Sequence, residues 1–469
     1  MRRILKARSP ACRSVFTGYL KFEFHVSAPF TLILTYRSRN ERKAGPVIMG
    51  STDILRAAVA DPSVDRYLAR QPIFDRQGSV LGYELLFRSG LDNFFGRQEA
   101  SKPSECHIDN FLLFGLDTLS CGRRAFINFT RHDLIRDLPT LFPRDRIGVE
   151  ILESTLADAE AVSACRRLKQ AGYLIALDDF TLSPQSEPFL PFADVIKVDF
   201  QTTREHERKR LAHHLAPRGI RLLAEKVETH EDIHAARQIG YTYFQGYFYC
   251  KPQIVATSGP SGFKPNYLRI LQAVNKPELN LREVEEILKQ EPSLLYKLLR
   301  YLNSAYFGLR AEITSIRHAL SLLGEDKLRK WTSVAAMVHL AHNKPSELIV
   351  TSLVRARFCE SLAVPLGMAA KETDLFLLGL MSTMDAVLGR HMSQVVREVP
   401  LAEEVAAALL NEQGSFYDVL TIVLALEKGT WHDISLPIGR LRLDESVVPG
   451  VYLHAVDWTT RIFQNASGR

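Results

Sequence analysis

YLIALDDF, Tyr173–Phe180, is the stretch on which the fold turns. A short apolar run of strand length ends in two adjacent carboxylates, Asp178 and Asp179, and this is how many strands deliver metal ligands to a barrel mouth. Thr181-Leu182-Ser183-Pro184 follows without a glycine. Outward from here, RAFINFT, RIGVEIL, DVIKVDF, IRLLAEKVE and YTYFQGYF are short and β-rich. Helical patterns such as LADAEAVSACRRLKQAG, closed by Gly172, lie between them. This alternation predicts a parallel sheet with helices outside. The runs end in polar or acidic residues: Asn128, Glu150, Asp178, Asp199, Glu225 and Gln245. Polar groups collected at successive strand ends form the active face of a (β/α)8 barrel, whereas a doubly wound sheet more often opens on a glycine-rich turn, which is missing. Residues 67–252 are therefore read as an α/β, TIM-like barrel.

The chain of 469 residues is too long for one ordinary core. Its charge is uneven. Residues 1–48 hold ten Lys/Arg and two Asp/Glu, a net of +8 against +6 for the whole chain, so the remainder carries −2. The near-neutral body predicts no nucleic-acid groove. The six cysteines form no CxxC pair, which reads as reduced thiols, and no apolar run reaches the ~20 residues of a membrane span. A cytoplasmic location is expected. Residues 1–66 are read as a basic extension, disordered or translated from an upstream start ahead of Met49.

After YCKPQ the character changes. Ser258–Gly262, SGPSG, is a linker signature inside 253–265. From Asn266 helices dominate. NLREVEEILKQ starts with Asn280 as N-cap and Glu283 three residues on, and Leu281, Val284, Ile287 and Leu288 form one apolar stripe. Residues 266–431 are read as an all-α domain, and 432–469, with helical VYLHAVDWTTRIF, as a C-terminal appendage.

Glu84, Asn128, Glu150, Asp178, Asp179 and Glu225 are hard oxygen donors suited to Mg²⁺ or Mn²⁺. Several carboxylates at one mouth cannot all stay ionised without cations between them. Two such ions would polarise a phosphodiester and generate a hydroxide. Lys197 and Asp199, at period-2 spacing, share one strand face, and an inward lysine could orient the attacking water or balance phosphate charge. The competing reading of any one strand-end carboxylate is a helix cap or a solvated loop residue.

Seven motifs in order resemble the EAL domain, a family that hydrolyses the bacterial second messenger cyclic di-GMP. RQPIFDRQGSVLGYELLFR is similar to its opening, with Glu84-Leu85-Leu86-Phe87-Arg88 at the signature. FINFT, VEILES, LDDF, IKVDF, LLAEKVET and FQGYFYCKP resemble the asparagine, E-x-T-E, D-D-F, K-x-D, A-E-G-V-E and Q-G-Y motifs. The resemblance implies that Glu84, Asn128, Glu150, Asp178, Asp179 and Glu225 hold two metal ions. It implies that Lys197 holds the catalytic water beside Glu225, and that Gln71, Arg88, Asp199, Glu228 and Gln245 line the nucleotide or support the shell. Glu153 corresponds to the glutamate that braces the loop after D-D-F, and two barrels are implied to pair beside that loop. Three departures stand out: Leu152 replaces a threonine, Lys226 a glycine, and Thr181–Pro184 a glycine-bearing loop. Glycines permit backbone shapes that Thr, Leu and Pro adopt only at a cost.

LREVEEILKQEPSLLYKLLRYLNSAYFGLRAEITSIRHALSLLGEDKLRKW resembles an HDOD domain, an output module related to HD phosphohydrolases. Where that resemblance would place an HD pair, Met384 precedes Asp385, so a non-catalytic domain that engages a protein partner is implied. His132-Asp133 and His432-Asp433 fall elsewhere. His213-His214 read as a solvated face, His339 and His342 as ordinary surface or core histidines, and Tyr301, Tyr306 and Phe307 as core aromatics. Three functions stay open: a metal-dependent phosphodiesterase giving linear pGpG, a cyclic di-GMP receptor without turnover, and a protein-interaction scaffold.

Overall fold

The computed structural model describes residues 23–26, 32–35, 66–89, 115–251, 265–291, 294–295, 298 and 316–466. The linker at Ser258–Gly262 and the aromatics Tyr301, Tyr306 and Phe307 lie outside the described residues. Within the first 66 residues, β1 (Glu23–Val26) and β2 (Leu32–Thr35) pair antiparallel, with Glu23 opposite Thr35. FEFHV and TLILT are rich in aromatic and β-branched residues, and Pro29 sits in the connection.

Eight strands close a barrel: β3 (Arg66–Phe74), β4 (Val80–Ser89), β5 (Arg124–Phe129), β6 (Ile147–Ile151), β7 (Leu174–Leu177), β8 (Val195–Asp199), β9 (Arg221–Glu225) and β10 (Tyr243–Gln245). Their order is β10-β3-β4-β5-β6-β7-β8-β9. The barrel is not all-parallel, because β3 runs antiparallel to β4 and to β10. The cause is local. Asp75–Ser79 is too short for a crossover, and Asp75 Oδ1 accepts from Gln77 N and Ser79 N at 2.9 and 2.8 Å, with Gly78 at φ 80°. The barrel floor is filled by Ile73, Phe126, Ala176, Val195 and Leu223. A Cβ at residue 148 would stand 2.6 Å from the Phe126 ring, so only glycine fits beside it.

Short helices follow the strands: α1 (Leu116–Leu119), α2 (Arg131–Ile135), α3 (Ala159–Gln170), α4 (Glu205–Leu215) and α5 (His230–Gln238). Helix α3 shows how the sequence builds them. Asp158 caps it by accepting from Ala161 N at 2.9 Å, Ala161, Ala164, Cys165 and Leu168 face the sheet, and Gly172 follows the end at φ 85°.

The second half is all helix: α6 (Pro265–Val274), α7 (Leu281–Lys289), α8 (Ile316–Leu323), α9 (Glu325–Leu340), α10 (Ser346–Ser361), α11 (Glu372–Met381), α12 (Met384–Leu388), α13 (Met392–Glu398), α14 (Glu403–Leu409), α15 (Ser415–Lys428), α16 (His432–Leu441) and α17 (Val447–Ala466). Asn280 caps α7 as expected, and Val284, Ile287 and Leu288 are buried, but Leu281 is 37% exposed. Helix α10 is buried almost all round and forms the axis of this half. The last helix is integral to the molecule. Tyr452 of α17 meets Phe358 of α10 edge-on at 6.2 Å, and Thr460 Oγ1 lies 3.3 Å from Cys121 Sγ of the barrel half. The described cysteines, Cys121, Cys165, Cys250 and Cys359, are free thiols. Among the described residues no helix is long and apolar enough to cross a membrane.

The halves meet where the antiparallel pair β3–β4 leaves a strand without a covering barrel helix. Helices α15 and α17 lie there instead. Tyr67 stacks edge-on to Trp431 at 5.7 Å, Tyr83 Oη donates to Glu347 Oε2 at 2.6 Å, and the Arg70 guanidinium lies 4.4 Å over the Tyr83 ring. Burial pushes the Glu347 carboxyl up to about 7, against the pull of Arg70 and the Tyr83 hydroxyl.

Candidate functional site

Strand register builds the site. Across the barrel, Gln71 is paired with Glu84, Asn128 with Glu150, and Asp199 with Glu225. Each pair therefore stands side by side at one level of the barrel. At the centre is Lys197 of β8, wholly buried. Its Nζ lies 2.7 Å from Asp178 Oδ1, 2.9 Å from Glu225 Oε1, and 3.2 Å from both Glu84 Oε2 and Glu150 Oε1. These are ion contacts by distance; the ammonium does not meet hydrogen-bond geometry with any of them. One cation thus faces four carboxylates.

The excess negative charge sets the ionisation. Burial drives the Glu150 carboxyl well above its ordinary range, and the Glu84 charge adds to that. Burial pushes Glu225 up to about 8 and raises Asp178, although Lys197 opposes both shifts. Burial would raise Glu84 too, but Lys197 and a hydrogen bond from Gln245 hold it below the usual value. Lys197 loses solvation by burial, yet its four partners keep it firmly protonated.

Several buried polar atoms are left without a hydrogen bond: Asn128 Oδ1, both Glu150 oxygens, Asp179 Oδ1 and Gln245 Oε1. Asn128 Nδ2 donates to Glu84 Oε1 at 3.1 Å, which turns its carbonyl oxygen away from that carboxylate. A buried oxygen acceptor without a donor costs about 1–3 kcal/mol, so five of them in one mouth suit an added cation. In this arrangement the carboxylates face the ammonium. Among the described residues no three His, Cys, Asp or Glu side chains already form a metal-ligating group.

The rim differs from the centre. Asp199 Oδ1 accepts from Gln201 N and Thr202 N at 2.7 and 3.0 Å, while its Oδ2 accepts from Lys226 Nζ at 2.6 Å. Lys226 adopts φ 52°, a left-handed conformation that favours glycine, and Asp179 adopts φ 41°. Glu228 sits on the exposed edge, bonded by Gln201 Nε2 at 2.9 Å and Lys251 Nζ at 3.0 Å. Arg88 occupies its expected strand position opposite Tyr67, and its side chain lies outside the described residues. Glu153 is exposed and, among the described residues, makes no hydrogen bond to the loop it was expected to brace. That loop is held internally: Ser186 Oγ donates to Thr181 O at 2.6 Å and accepts from Ser183 N at 3.0 Å. Two serines inside a tight turn satisfy its backbone locally. Glu153, Thr181, Ser183 and Ser186 all line a cavity of about 260 Å³ that also includes Asp178 and Asp179.

The histidine–aspartate pairs are accounted for elsewhere. Asp133 is the buried N3 residue of the α2 capping box, accepting from Thr130 N at 2.9 Å, and His432 with Asp433 lies exposed in the first turn of α16. His339 stacks on Tyr267 with ring centres 4.3 Å apart.

One participant escaped the sequence reading. Gln245 Nε2 donates to Glu84 Oε2 at 2.6 Å and to Gln71 Oε1 at 2.9 Å, and Gln71 Nε2 donates to the Lys428 carbonyl at 3.1 Å. Lys428 ends α15, in the other half of the molecule. Its only local signal is the helix stop at Gly429, which says nothing about what the freed carbonyl meets.

Fold and site together define a two-part protein: a barrel whose mouth collects acidic oxygen donors, fused to a helical module. Residues 117–252 match the model of the EAL domain, and residues 262–414 match that of the HDOD domain. The chain is 37% identical over 409 residues to the cyclic di-GMP phosphodiesterase CdgJ of Vibrio cholerae, which covers 86% of this chain and 94% of that one. It is 34% identical over 401 residues to the uncharacterized protein YuxH of Bacillus subtilis, covering 84% and 97%. Among solved structures, the YkuI protein of Bacillus subtilis, with an EAL domain and in complex with c-di-GMP and calcium, overlaps 63% of this chain and 72% of its own, at 19% identity and a TM-score of 0.34. The chain belongs to the family of proteins that join an EAL domain to an HDOD domain.

Proposed function

We propose that the barrel is a metal-dependent cyclic di-GMP phosphodiesterase that yields linear pGpG, and that the HDOD half carries its output to a protein partner. The observation that carries this reading is the cluster of four carboxylates around buried Lys197, ringed by unsatisfied oxygen donors. The 37% identity to CdgJ, named for that activity, supports the same substrate.

Glu84, Asn128, Glu150, Asp178, Asp179 and Glu225 would hold two Mg²⁺ or Mn²⁺ ions, since their orphaned oxygens fit hard cations. When bound, such ions supply charge that polarises a phosphodiester and acidifies water. The chain's own groups do the rest. Burial raises the proton affinity of Glu150 and Glu225, and a bound cation would offset that cost and favour their ionised forms. Lys197, at the centre of these carboxylates, would hold the attacking water and balance phosphate charge. Gln71, Arg88, Asp199, Glu228 and Gln245 border the nucleotide.

A receptor without turnover is the second reading. It is favoured by Lys226, whose ammonium engages Asp199 at the position where the family motif has glycine. One experiment separates the readings. Purified full-length protein is incubated with cyclic di-GMP and Mg²⁺ or Mn²⁺, and both linear product and binding are measured. Product that vanishes in Glu84→Ala is the expected result. Binding without product establishes the receptor, and neither leaves a scaffold.

A further inference from the structure

The hydrogen-bonded line from Glu84 to Lys428 has a polarity forced from both ends. The Glu84 carboxylate only accepts, so Gln245 must present its NH₂ there and, with the second hydrogen, to Gln71. Gln71 must then offer its oxygen to Gln245, which leaves its own NH₂ for an acceptor. The Lys428 carbonyl is that acceptor, and a backbone carbonyl can take no other role. No member can flip its amide without breaking two bonds.

The far end is fixed with equal care. Helix α15 stops in a Schellman turn, in which Thr430 N bonds Ala425 O at 3.0 Å and Gly429 N bonds Leu426 O at 3.1 Å, with Gly429 at φ 68°. This turn leaves the Lys428 carbonyl outside the helical ladder and aims it at β3. One residue earlier, Glu427 is clamped by Arg355 of α10 at 2.7–3.1 Å, so the helix end cannot slide. Gly429 itself packs on the barrel, where a Cβ would lie 3.5 Å from Leu86 and 3.9 Å from Ala69.

We infer that the Lys428 carbonyl is a positioning group of the barrel site: the HDOD half sets the placement of Gln71, and through Gln245 that of Glu84. The barrel mouth is then complete only when α15 is docked, and any partner that shifts α15 changes the site. The inference deepens the proposed function and relies on it only for the identity of the ligand.

Coupling of this kind is reciprocal, so it can be read from either end. The first measurement is hydrogen exchange on the full chain without ligand. Gln245→Ala, cut at the barrel end of the line, is expected to speed exchange across Leu426–Trp431 at least threefold while Met392–Glu398 stays as in wild type. Gln71→Glu, which keeps the acceptor for Gln245 and loses the donor to Lys428, is expected to do the same and serves if Gln245→Ala does not fold. Wild-type exchange at Leu426–Trp431 in a folded variant overturns the inference. The second measurement works from the other end, by titrating Mn²⁺ alone and then cyclic di-GMP. Gly429→Ala, which resists the left-handed turn, is expected to weaken both at least threefold, and Gly429→Asn, which tolerates it, to restore them. Equal weakening by both variants overturns the positioning role. A wild-type protein that binds no cyclic dinucleotide would defeat the proposed function, while the exchange measurement still decides the coupling.

Discussion

Lys197 and Arg355 are buried cations, one in each half of the molecule, and they are satisfied in opposite ways. Arg355 meets one carboxylate, Glu427, through two nitrogens, and its remaining arm donates to Ser382 Oγ at 3.1 Å. Charge and hydrogen bonds close on themselves, as a structural pair requires. Lys197 meets four carboxylates at once, and both oxygens of one of them, Glu150, are left without a hydrogen bond. A fold with no use for this imbalance would replace it with apolar packing, which is often as stable or more so. The matched pair reads as scaffold, and the unmatched cluster as a site that expects more positive charge.

This contrast can be broken by exchanging each cation for methionine. Lys197→Met is expected to cut turnover by about 10³-fold, the scale of losing one preorganised charge donor, while the protein stays folded because its carboxylates can take up protons. Turnover assays paired with thermal melts check both parts. Arg355→Met is expected to destabilise by about 3–5 kcal/mol, since it strands Glu427 in the core. Urea unfolding measures it. A greater loss of stability in Lys197→Met than in Arg355→Met would reverse the assignment of scaffold and site.

Glu347, between the two halves, sharpens the comparison because it is buried but only partly compensated. Its folded value of about 7 lies above the ordinary carboxyl value of about 4.3, so the folded state holds the extra proton between them. Stability is therefore greatest below the unfolded value, falls as pH rises from there to about 7, and is flat above, a change of up to about 4 kcal/mol. Glu347→Gln is expected to flatten that profile between pH 5 and 8 and to raise the melting temperature at pH 8. A profile unchanged from wild type would remove Glu347 as its source.

The smallest expected effect concerns the missing charge itself. Mn²⁺ at a hundred times its Kd is expected to stabilise the protein by about 2.7 kcal/mol, and chelation to reverse this. Calorimetry on wild type and Glu84→Ala tests it, with the gain confined to wild type. Equal gain in both would place the ion elsewhere.

How much was legible depended on the range of each interaction. Asn128, Glu150 and Glu225 each lie at or next to the end of a β-rich run, so local pattern sufficed for them, whereas Glu84 lies mid-strand in β4. The antiparallel β3 was missed because direction depends on the turn Asp75–Ser79 and not on the strand's own pattern. The Glu153 brace was expected from resemblance, but Ser183 and Ser186 satisfy the loop from within. Lys226 at φ 52° agrees with a place where the motif has glycine, although its bond to Asp199 could not be read from spacing.

The sequence by itself determined the two-part architecture, the strand ends that bear oxygen donors and the central lysine. These rest on periodicity, capping and turn chemistry, which act over a few residues. Only the tertiary structure decided the burial that raises the Glu150 and Glu225 carboxyls, and the contact between Gln71 and the Lys428 carbonyl. Burial and charge crowding exist only once the barrel has closed. A bond between residues 357 positions apart leaves no local signature, because it is made only where the two halves meet.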